Sequence, residues 1–291
     1  MSKLTAKQVV KTYGGKEVLH SIDLELETGK IYGLIGRNGA GKTTLLSILT
    51  SQNPATSGQV TFDGQTVWEN PEVLKNLCFS RELNPMIGNN GNSMKVKEYL
   101  KIAETFFPYW DKEMANQLVK DFNLDVKKRI GKLSKGMLSM VTIIVALASK
   151  APFTFLDEPV AGLDVVAREK FYALLLNEYT ETGRTFVIST HIIEEAADVF
   201  EEVIMLNDGK ILLKENTQDL LDRARHISGM AEAVDKAVEG RETYHPEKMG
   251  RSKGVTVLLK QGETLESDAE ISVQPMSLQQ VFVAMCGKEV S

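Results

Sequence analysis

One stretch of the chain combines glycines, a lysine and a threonine at the spacing that phosphate binding requires. It follows the pattern G-x-x-x-x-G-K-[ST], between an apolar strand candidate at 30–35 and a helix candidate at 45–49. Glycines let backbone N–H groups turn toward phosphate oxygens, and the start of a helix favours bound anions. The lysine of this pattern reaches the β- and γ-phosphates, and the threonine hydroxyl binds Mg²⁺. The candidate phosphate-binding residues are Gly36, Arg37, Asn38, Gly39, Ala40, Gly41, Lys42, Thr43 and Thr44. An accidental glycine-rich turn is the alternative, and the flanking strand and helix argue against it.

Two acids and a histidine follow predicted buried strands and add groups that triphosphate hydrolysis needs. Asp157 and Glu158 come directly after the apolar residues 153–156, and His191 follows a strand candidate at 185–189. Because ligands bind at the carboxyl ends of parallel strands, we expect these side chains near the phosphate loop. Asp157 can hold Mg²⁺ directly or through water, and Glu158 can orient or deprotonate the attacking water. His191 can hydrogen-bond the γ-phosphate or that water. An acidic turn and a packed histidine are the alternatives when each is considered alone.

An aromatic residue, Tyr13, stands just before a Gly-Gly turn and ahead of the phosphate loop. A ring at this place can lie flat on an adenine. On sequence alone, an ordinary tyrosine at the end of a strand at 4–13 is the simpler interpretation. The next strand candidate, 18–27, alternates apolar and acidic residues, which is typical of a strand with one buried face.

Apolar periodicity divides the rest of the chain into an α/β core with a helical insertion. Strand candidates at 59–62 and 73–80 are followed by a Gly/Asn-rich stretch, 86–92, that predicts a loop. Helical spacing then runs from 93 to about 122, with a break at Pro108 and a new N-cap at Asp111. We therefore predict an inserted helical subdomain at about 84–150. Asp164 is a natural N-cap for the helix that follows the acidic pair.

The C-terminal residues differ in character from the core. Polar, charge-dense sequence occupies 226–254, followed by a strand candidate at 254–260 and an amphipathic helix at 277–286. We predict a small accessory domain at 223–291, whose helical apolar stripe serves core packing.

Composition narrows the class of protein. The chain has 291 residues, of which 43% are hydrophobic and 25% charged, so it can build a large core. Its net charge of −5 gives no electrostatic case for binding nucleic acid. Two cysteines far apart, Cys78 and Cys286, argue against a disulfide framework and for a reducing compartment. The start of the chain lacks a signal-peptide pattern, and no apolar run is long enough to span a bilayer, so a role at a membrane would need a partner.

The ordered set of motifs resembles the ATP-binding subunit of an ABC transporter over about residues 3–222. Gly36 to Thr44 is similar to Walker A, 153–158 to Walker B with the catalytic glutamate, and His191 to the switch histidine. Tyr13 falls where the family has its adenine-stacking aromatic. The resemblance implies that Ser134 and Gly136, in a signature segment at 133–137, and Asp164, in a D-loop at 161–164, also bind nucleotide.

Two departures from the family pattern concern the lid and the signature. The lid glutamine is not evident, and Glu82 is the best match for its place as a group that contacts Mg²⁺ or water. The signature reads Leu-Ser-Lys-Gly-Met instead of Leu-Ser-Gly-Gly-Gln, which is similar to bacterial ABC-2-type exporters. The residues from 109 to 155 resemble exporters of antimicrobial or cytolytic peptides, including phenol-soluble modulin exporters.

The resemblance implies a fold, cofactors and partners. The fold would be a P-loop NTPase core with an antiparallel β subdomain, an inserted helical subdomain and a small α+β C-terminal extension, with the nucleotide-binding domain at 1–222. ATP and Mg²⁺ would bind between two ATPase chains, a homodimer or a pair of paralogues. A separate integral membrane subunit would hold the pair at the cytoplasmic face of the cell membrane, and nucleic acid is not an expected partner.

Two other classes remain open at this point. A soluble ABC-type ATPase could act as a non-transport clamp, although the chain has no long coiled coil, no second ATPase half and no basic surplus. A P-loop kinase or GTPase would leave the signature segment and His191 without a role, and the guanine-specific Asn-Lys-x-Asp pattern is absent.

Overall fold

The computed structural model describes residues 2–83 and 93–287, which contain three β-sheets and the helices that cover them. The predicted loop at 86–92 lies outside the described residues, as does the start of the predicted helical subdomain at 84. The strands, in chain order, are β1 (Lys3–Tyr13), β2 (Lys16–Glu27), β3 (Ile31–Ile35), β4 (Ser57–Phe62), β5 (Gln65–Thr66), β6 (Leu77–Ser80), β7 (Phe153–Asp157), β8 (Thr185–Thr190), β9 (Glu202–Asn207), β10 (Lys210–Asn216), β11 (Ala224–Met230), β12 (Thr243–Met249), β13 (Ser252–Leu258) and β14 (Ile271–Pro275).

The helices follow the sequence signals for their ends. Asp111, Ser134 and Asp164 each accept a backbone N–H bond at the start of a helix, as N-caps do. Gly183 ends the longest of them in the left-handed region, at φ 64°. The α-helices are α1 (Lys42–Leu49), α2 (Pro71–Leu74), α3 (Val96–Phe106), α4 (Lys112–Asp121), α5 (Lys135–Ala148), α6 (Val165–Thr182), α7 (Ile193–Ala196), α8 (Thr217–Arg223), α9 (Ala231–Ala237) and α10 (Leu278–Cys286).

The central sheet has the strand order β10-β9-β3-β8-β7-β6, and all of its strands except β10 are parallel. Both faces of β3, β7 and β8 are buried. In β3, Tyr32 and Leu34 join a core with α1 and the antiparallel sheet, whereas Ile31 and Ile35 join a core with α5 and α6. This burial explains why its strands read as continuous apolar runs. The carboxyl ends of β3, β7 and β8 therefore meet at one edge.

A second sheet, ordered β2-β1-β4-β5, is antiparallel throughout and covers α1. Its alternating pattern was the one expected for a half-buried strand. The predicted strand at 73–80 is wrong in its first half, where α2 forms instead. Asn70 accepts a hydrogen bond from the N–H of Glu72, and Pro71 occupies the first turn. These are signals for the start of a helix, and the strand prediction considered only the apolar residues.

The C-terminal residues fold as a third sheet, ordered β12-β13-β11-β14, with α9 on one face. The polar run at 226–254 thus contains β11, α9 and β12, which the sequence did not indicate. The amphipathic helix α10 forms as predicted, with Ser277 and Gln280 as a capping box. Its buried residues Leu278 and Val281 pack into the same core as α7, so α10 reaches back to the central sheet. The predicted class, α/β with antiparallel, helical and C-terminal α+β additions, is confirmed.

Candidate functional site

The loop between β3 and α1 follows a path that only glycine allows at two positions. Gly41 has a φ of 105°, and a Cβ placed there would lie 2.8 Å from the Leu19 side chain. A Cβ on Gly36 would lie 2.5 Å from the carbonyl oxygen of Leu206. The loop therefore lies tightly against β2 and β9 on its inner side, which leaves its outer side to form a cavity.

A cavity of about 370 Å³ covers this loop and brings several predicted residues together. Tyr13 borders it with nearly half of its surface exposed, and the Lys11 ammonium lies 4.8 Å from the ring centroid. A flat exposed ring at the edge of a phosphate loop can stack on a base. The lining residues are Tyr13, Val18, Arg37, Asn38, Gly39, Gly41, Lys42, Thr43, Thr44 and Glu158.

Lys42, Glu158 and His191 form a continuous chain of contacts across the site. The Lys42 ammonium donates to the carbonyl oxygen of Gly36 at 2.7 Å and lies 3.4 Å from Glu158 Oε1. The other carboxylate oxygen, Oε2, lies 2.8 Å from His191 Nδ1. Lys42 is buried, whereas His191 is close to half exposed. The three predicted catalytic residues thus meet in one place.

Asp157 is held by two hydroxyl groups at the end of β7. Thr43 Oγ1 donates to Oδ2 and Ser189 Oγ donates to Oδ1, each at 2.6 Å. Ser189 Oγ also accepts a bond from the N–H of Glu158 at 3.1 Å. The sequence analysis did not identify Ser189. The one signal in the sequence is a hydroxyl residue in a buried strand, two residues before His191. Ser189 thereby fixes both acids of the pair.

This arrangement fits a hard cation with few protein ligands. Carboxylate and hydroxyl oxygens are what Mg²⁺ prefers, and it commonly keeps several waters and binds through one or two carboxylates. Thr43 and Asp157 supply such oxygens beside the phosphate loop. Within residues 2–83 and 93–287, no group of three or more His, Cys, Asp or Glu side chains forms a metal cluster. The donor set therefore matches a metal that is shared with a ligand.

Glu158 occupies the left-handed region with φ 50°, which is unfavourable for a residue that has a Cβ. Its N–H is held by both the carbonyl and the hydroxyl of Ser189. Backbone strain of this kind persists where surrounding contacts fix it, and here it accompanies the turn of the chain out of β7. The carboxylate is consequently aimed at Lys42 and His191.

Glu82 borders a second cavity, of about 900 Å³, that Thr43 and Asp157 also line. Its carboxylate lies 3.4 Å from the Lys135 ammonium, and both side chains are more than half exposed. The structure therefore places Glu82 in the same cavity as Thr43 and Asp157, paired with a residue of the signature segment.

Ser134, Gly136 and Asp164 do not line the phosphate-loop cavity, although Lys135, between the first two, lines the larger cavity with Thr43. Ser134 and Asp164 cap α5 and α6, and a Cβ on Gly136 would lie 2.5 Å from the carbonyl oxygen of Gly162. In the part of the chain that the structure describes, none of these three residues lines either of the cavities that Thr43 borders. The signature segment thus borders the larger cavity through Lys135 and contributes no residue to the phosphate-loop cavity.

Comparison with known proteins gives one family. The ABC transporter model matches residues 19–161. The ABC transporter ATP-binding protein YtrB of Bacillus subtilis strain 168 is 27% identical over 290 residues, which is 97% of each chain. The taurine import ATP-binding protein TauB of Escherichia coli O157:H7 is 33% identical over 203 residues, 68% of this chain and 76% of the relative.

A peptide-related relative and a solved structure extend the comparison. The lantibiotic transport ATP-binding protein SrtF of Streptococcus pyogenes is 28% identical over 232 residues, 75% of this chain and 96% of the relative. A solved dimer of a bacterial ABC transporter cassette has a TM-score of 0.63 and 25% identity, covering 74% of this chain and 98% of that cassette.

Proposed function

Since this chain belongs to the family of ABC transporter ATP-binding proteins, and is thus an ATPase subunit of a transporter, we propose that it powers export of a peptide. The contact chain from Lys42 through Glu158 to His191, beside Thr43 and Asp157, carries the proposal for hydrolysis. Peptide export is supported by the signature segment and by the lantibiotic relative. The taurine import relative names the opposite direction, so direction needs its own test.

Each polar group of the site has a role in this proposal. Lys42 and the N–H groups of the loop bind the β- and γ-phosphates, and Tyr13 stacks on adenine. Glu158 accepts the proton of the attacking water, while His191 keeps the carboxylate in position and faces the γ-phosphate. Thr43 and Asp157 hold Mg²⁺, with Glu82 as a further contact. A cation held there would neutralise negative charge on the phosphates.

The site is completed by a second chain. Ser134 and Gly136 lie at the start of α5, where N–H groups and a hydroxyl are available to an anion, yet they do not line the phosphate-loop cavity of their own chain. The start of α6 carries two exposed apolar residues, Val165 and Val166, next to Asp164. We propose that this edge meets a second copy or a paralogue, so that Ser134, Gly136 and Asp164 reach the partner's nucleotide.

A membrane subunit would dock on the helical part. No helix in the described residues has the length and apolarity to cross a bilayer. Ile102 and Phe106 lie one turn apart on α3 and are exposed, as is Tyr109 just beyond the helix. Exposed apolar groups of this kind suit a protein contact. In this proposal residues 1–222 are the nucleotide-binding domain, 84–150 its helical subdomain, 223–291 an accessory domain, and the complex sits at the cytoplasmic face of the membrane.

The shared site predicts how ATP hydrolysis depends on protein concentration. Because each active site needs two chains, the rate in Mg²⁺ and ATP should rise more than linearly with concentration in a dilute series. The measurement is phosphate release, with sedimentation to identify the range in which the protein is monomeric. A Lys42→Ala variant gives the background, since it removes the phosphate-binding charge.

A strictly linear rate across the monomeric range would contradict the shared site. Direction is tested separately, in vesicles that contain this chain and its membrane subunit with ATP on the outside. Accumulation of a labelled peptide inside would support export, because the ATPase side corresponds to the cytoplasm. ATP-dependent loss of preloaded substrate would instead indicate import.

A further inference from the structure

Arg168, on the first turns of α6, connects the segments that follow the two catalytic candidates. Its Nε donates to the carbonyl oxygen of Leu163 at 2.9 Å, in the connection after Glu158. Its Nη1 contacts both carboxylate oxygens of Glu195, at 2.8 and 3.0 Å. Glu195 belongs to α7, the helix that begins two residues after His191. One guanidinium therefore ties the chain beyond Glu158 to the chain beyond His191.

A buried hydroxyl in the same cluster has no partner. Tyr172 lies one turn after Arg168 on α6, and its Oη is buried without a hydrogen bond among the described residues. Burial raises the pKa of this hydroxyl, and the charge of Glu195 raises it further. Leaving a buried hydroxyl unpaired is unfavourable. The packing around Arg168 and Glu195 therefore leaves one buried polar group unsatisfied among the described residues.

We propose that Arg168 is a positioning residue for hydrolysis, acting through Glu195 to hold His191 against Glu158. This inference rests on the proposed function. The connection at 159–164 leads directly to the exposed Val165 and Val166, the edge proposed to meet a second chain. Contact there moves the carbonyl of Leu163, and Arg168 passes that movement to α7. His191 already lies 2.8 Å from Glu158 Oε2 in the single chain, so the Arg168 link serves to keep this contact in place when the second chain docks.

The contacts of Arg168 with Leu163 and Glu195, here called the clamp, are tested by replacing the guanidinium of Arg168. Arg168→Met keeps an unbranched stem and removes both contacts, so kcat for ATP should fall by about tenfold or more, because small displacements in an active site lower the rate strongly. KM for ATP should stay within a factor of about two, because Lys42 and the phosphate loop are unchanged. Arg168→Lys keeps the charge but not the planar fork, so its kcat should lie between those of the wild type and Arg168→Met.

A double-mutant cycle with His191 separates positioning from general structural damage. If Arg168 acts through His191, Arg168→Met should reduce kcat no further in a His191→Ala background. Additive losses would overturn the proposal. Glu195→Gln is the second variant, and it should lower kcat in the same direction without removing a large side chain. Thermal unfolding of each variant shows that the chain is folded.

Arg223→Met is a matched control, because Arg223 also contacts both oxygens of a carboxylate, Glu215, and donates to the backbone carbonyl of Leu259. It lies away from the phosphate loop, so its kcat should match that of the wild type. Wild-type kcat in Arg168→Met, alongside an active wild type and an inactive Lys42→Ala, would refute the clamp and leave the ATPase proposal standing. Absence of ATP hydrolysis in the wild type would instead refute the proposed function.

Discussion

The two ends of strands β7 and β8 both carry charged clusters, and the clusters are built differently. At the amino end, Arg184 and Glu178 are buried, and they lie 2.8 Å apart. At the carboxyl end, Lys42 and Glu158 are 3.4 Å apart, and Glu158 is partly exposed. We call the buried pair at the amino end the closed cluster, and the partly exposed pair at the carboxyl end the open cluster. The closed cluster suits a structural role, and the open cluster suits ligand binding and catalysis.

Every arm of the Arg184 guanidinium has a partner. It donates to three backbone carbonyls near the C-terminal end of α5, those of Ala146, Leu147 and Ala151, and to the hydroxyl of Thr154. Lys150 contacts the second oxygen of Glu178 at 2.7 Å. Burial lowers the pKa of Arg184, and the Glu178 carboxylate opposes that effect. Charges satisfied in this way stay in one arrangement, because any movement leaves a charge unpaired in the interior.

The carboxyl end shows the opposite design. Lys42 is a mobile point charge on a flexible stem, and its short contact is to the carbonyl of Gly36 in its own loop. A triphosphate offers the ammonium stronger partners than a carbonyl and a carboxylate at 3.4 Å. On binding of a triphosphate we therefore expect Glu158 to part from Lys42 and to keep its contact with His191. Incomplete pairing of buried charge is thus a sign of a ligand site.

The comparison predicts opposite outcomes for one substitution, Glu→Gln, at three places. The largest effect is expected at Glu158. Removing a general base typically lowers the rate by about 10²–10⁴-fold, so Glu158→Gln should lose that much ATPase activity. It should still bind ATP, measured with a fluorescent analogue, because the phosphate loop is intact. Its free energy of unfolding should change by less than about 1 kcal/mol, since the lost pair with Lys42 is long.

Glu181→Gln is the control for Glu158→Gln, because it makes the same chemical change at an exposed position near the end of α6. Its hydrolysis rate should equal that of the wild type. Near-normal turnover by Glu158→Gln would show that Glu158 is not the general base.

Glu178→Gln should destabilise the protein and spare its chemistry. Neutralising one partner leaves Arg184 and Lys150 with uncompensated charge, and breaking a buried pair in this way costs about 3–5 kcal/mol. Urea unfolding measures this loss, and ATP hydrolysis per folded molecule should stay near that of the wild type. A loss of stability below about 1 kcal/mol would show that Arg184 and Lys150 do not depend on the charge of Glu178 in the folded protein.

Some residues of the site can be predicted from local sequence, whereas others depend on contacts between distant segments. The phosphate loop and the two acids follow local rules, in which glycine spacing and a strand end fix the backbone, so the sequence alone could predict that Lys42, Asp157 and Glu158 lie at one edge of the sheet. Ser189 was not found, because a hydroxyl in a strand gains its meaning only when β7 and β8 lie side by side. The links made by Arg168 to Leu163 and Glu195 depend on tertiary contacts in the same way.

The C-terminal part escaped prediction for another reason. In β11, Ile227 is buried while the neighbouring His226 and Ser228 are only partly buried, so the strand carries too few apolar residues to stand out. Its sheet is covered by α9 on one face, whereas β3, β7 and β8 of the central sheet are buried on both faces. The charge density at 226–254 therefore reflects strands that are only partly buried.

Glu82→Gln should have the smallest effect of the three Glu→Gln changes. The Glu82–Lys135 pair is more than half exposed, and exposed pairs contribute about 0–1 kcal/mol, so unfolding in urea should change by no more than that. The amide keeps an oxygen that can contact Mg²⁺ or water, so the Mg²⁺ concentration for half-maximal hydrolysis should shift by less than about threefold. A loss of activity as large as that of Glu158→Gln would show that the charge of Glu82 is essential for hydrolysis. Glu82 would then belong to the open cluster together with Lys42 and Glu158.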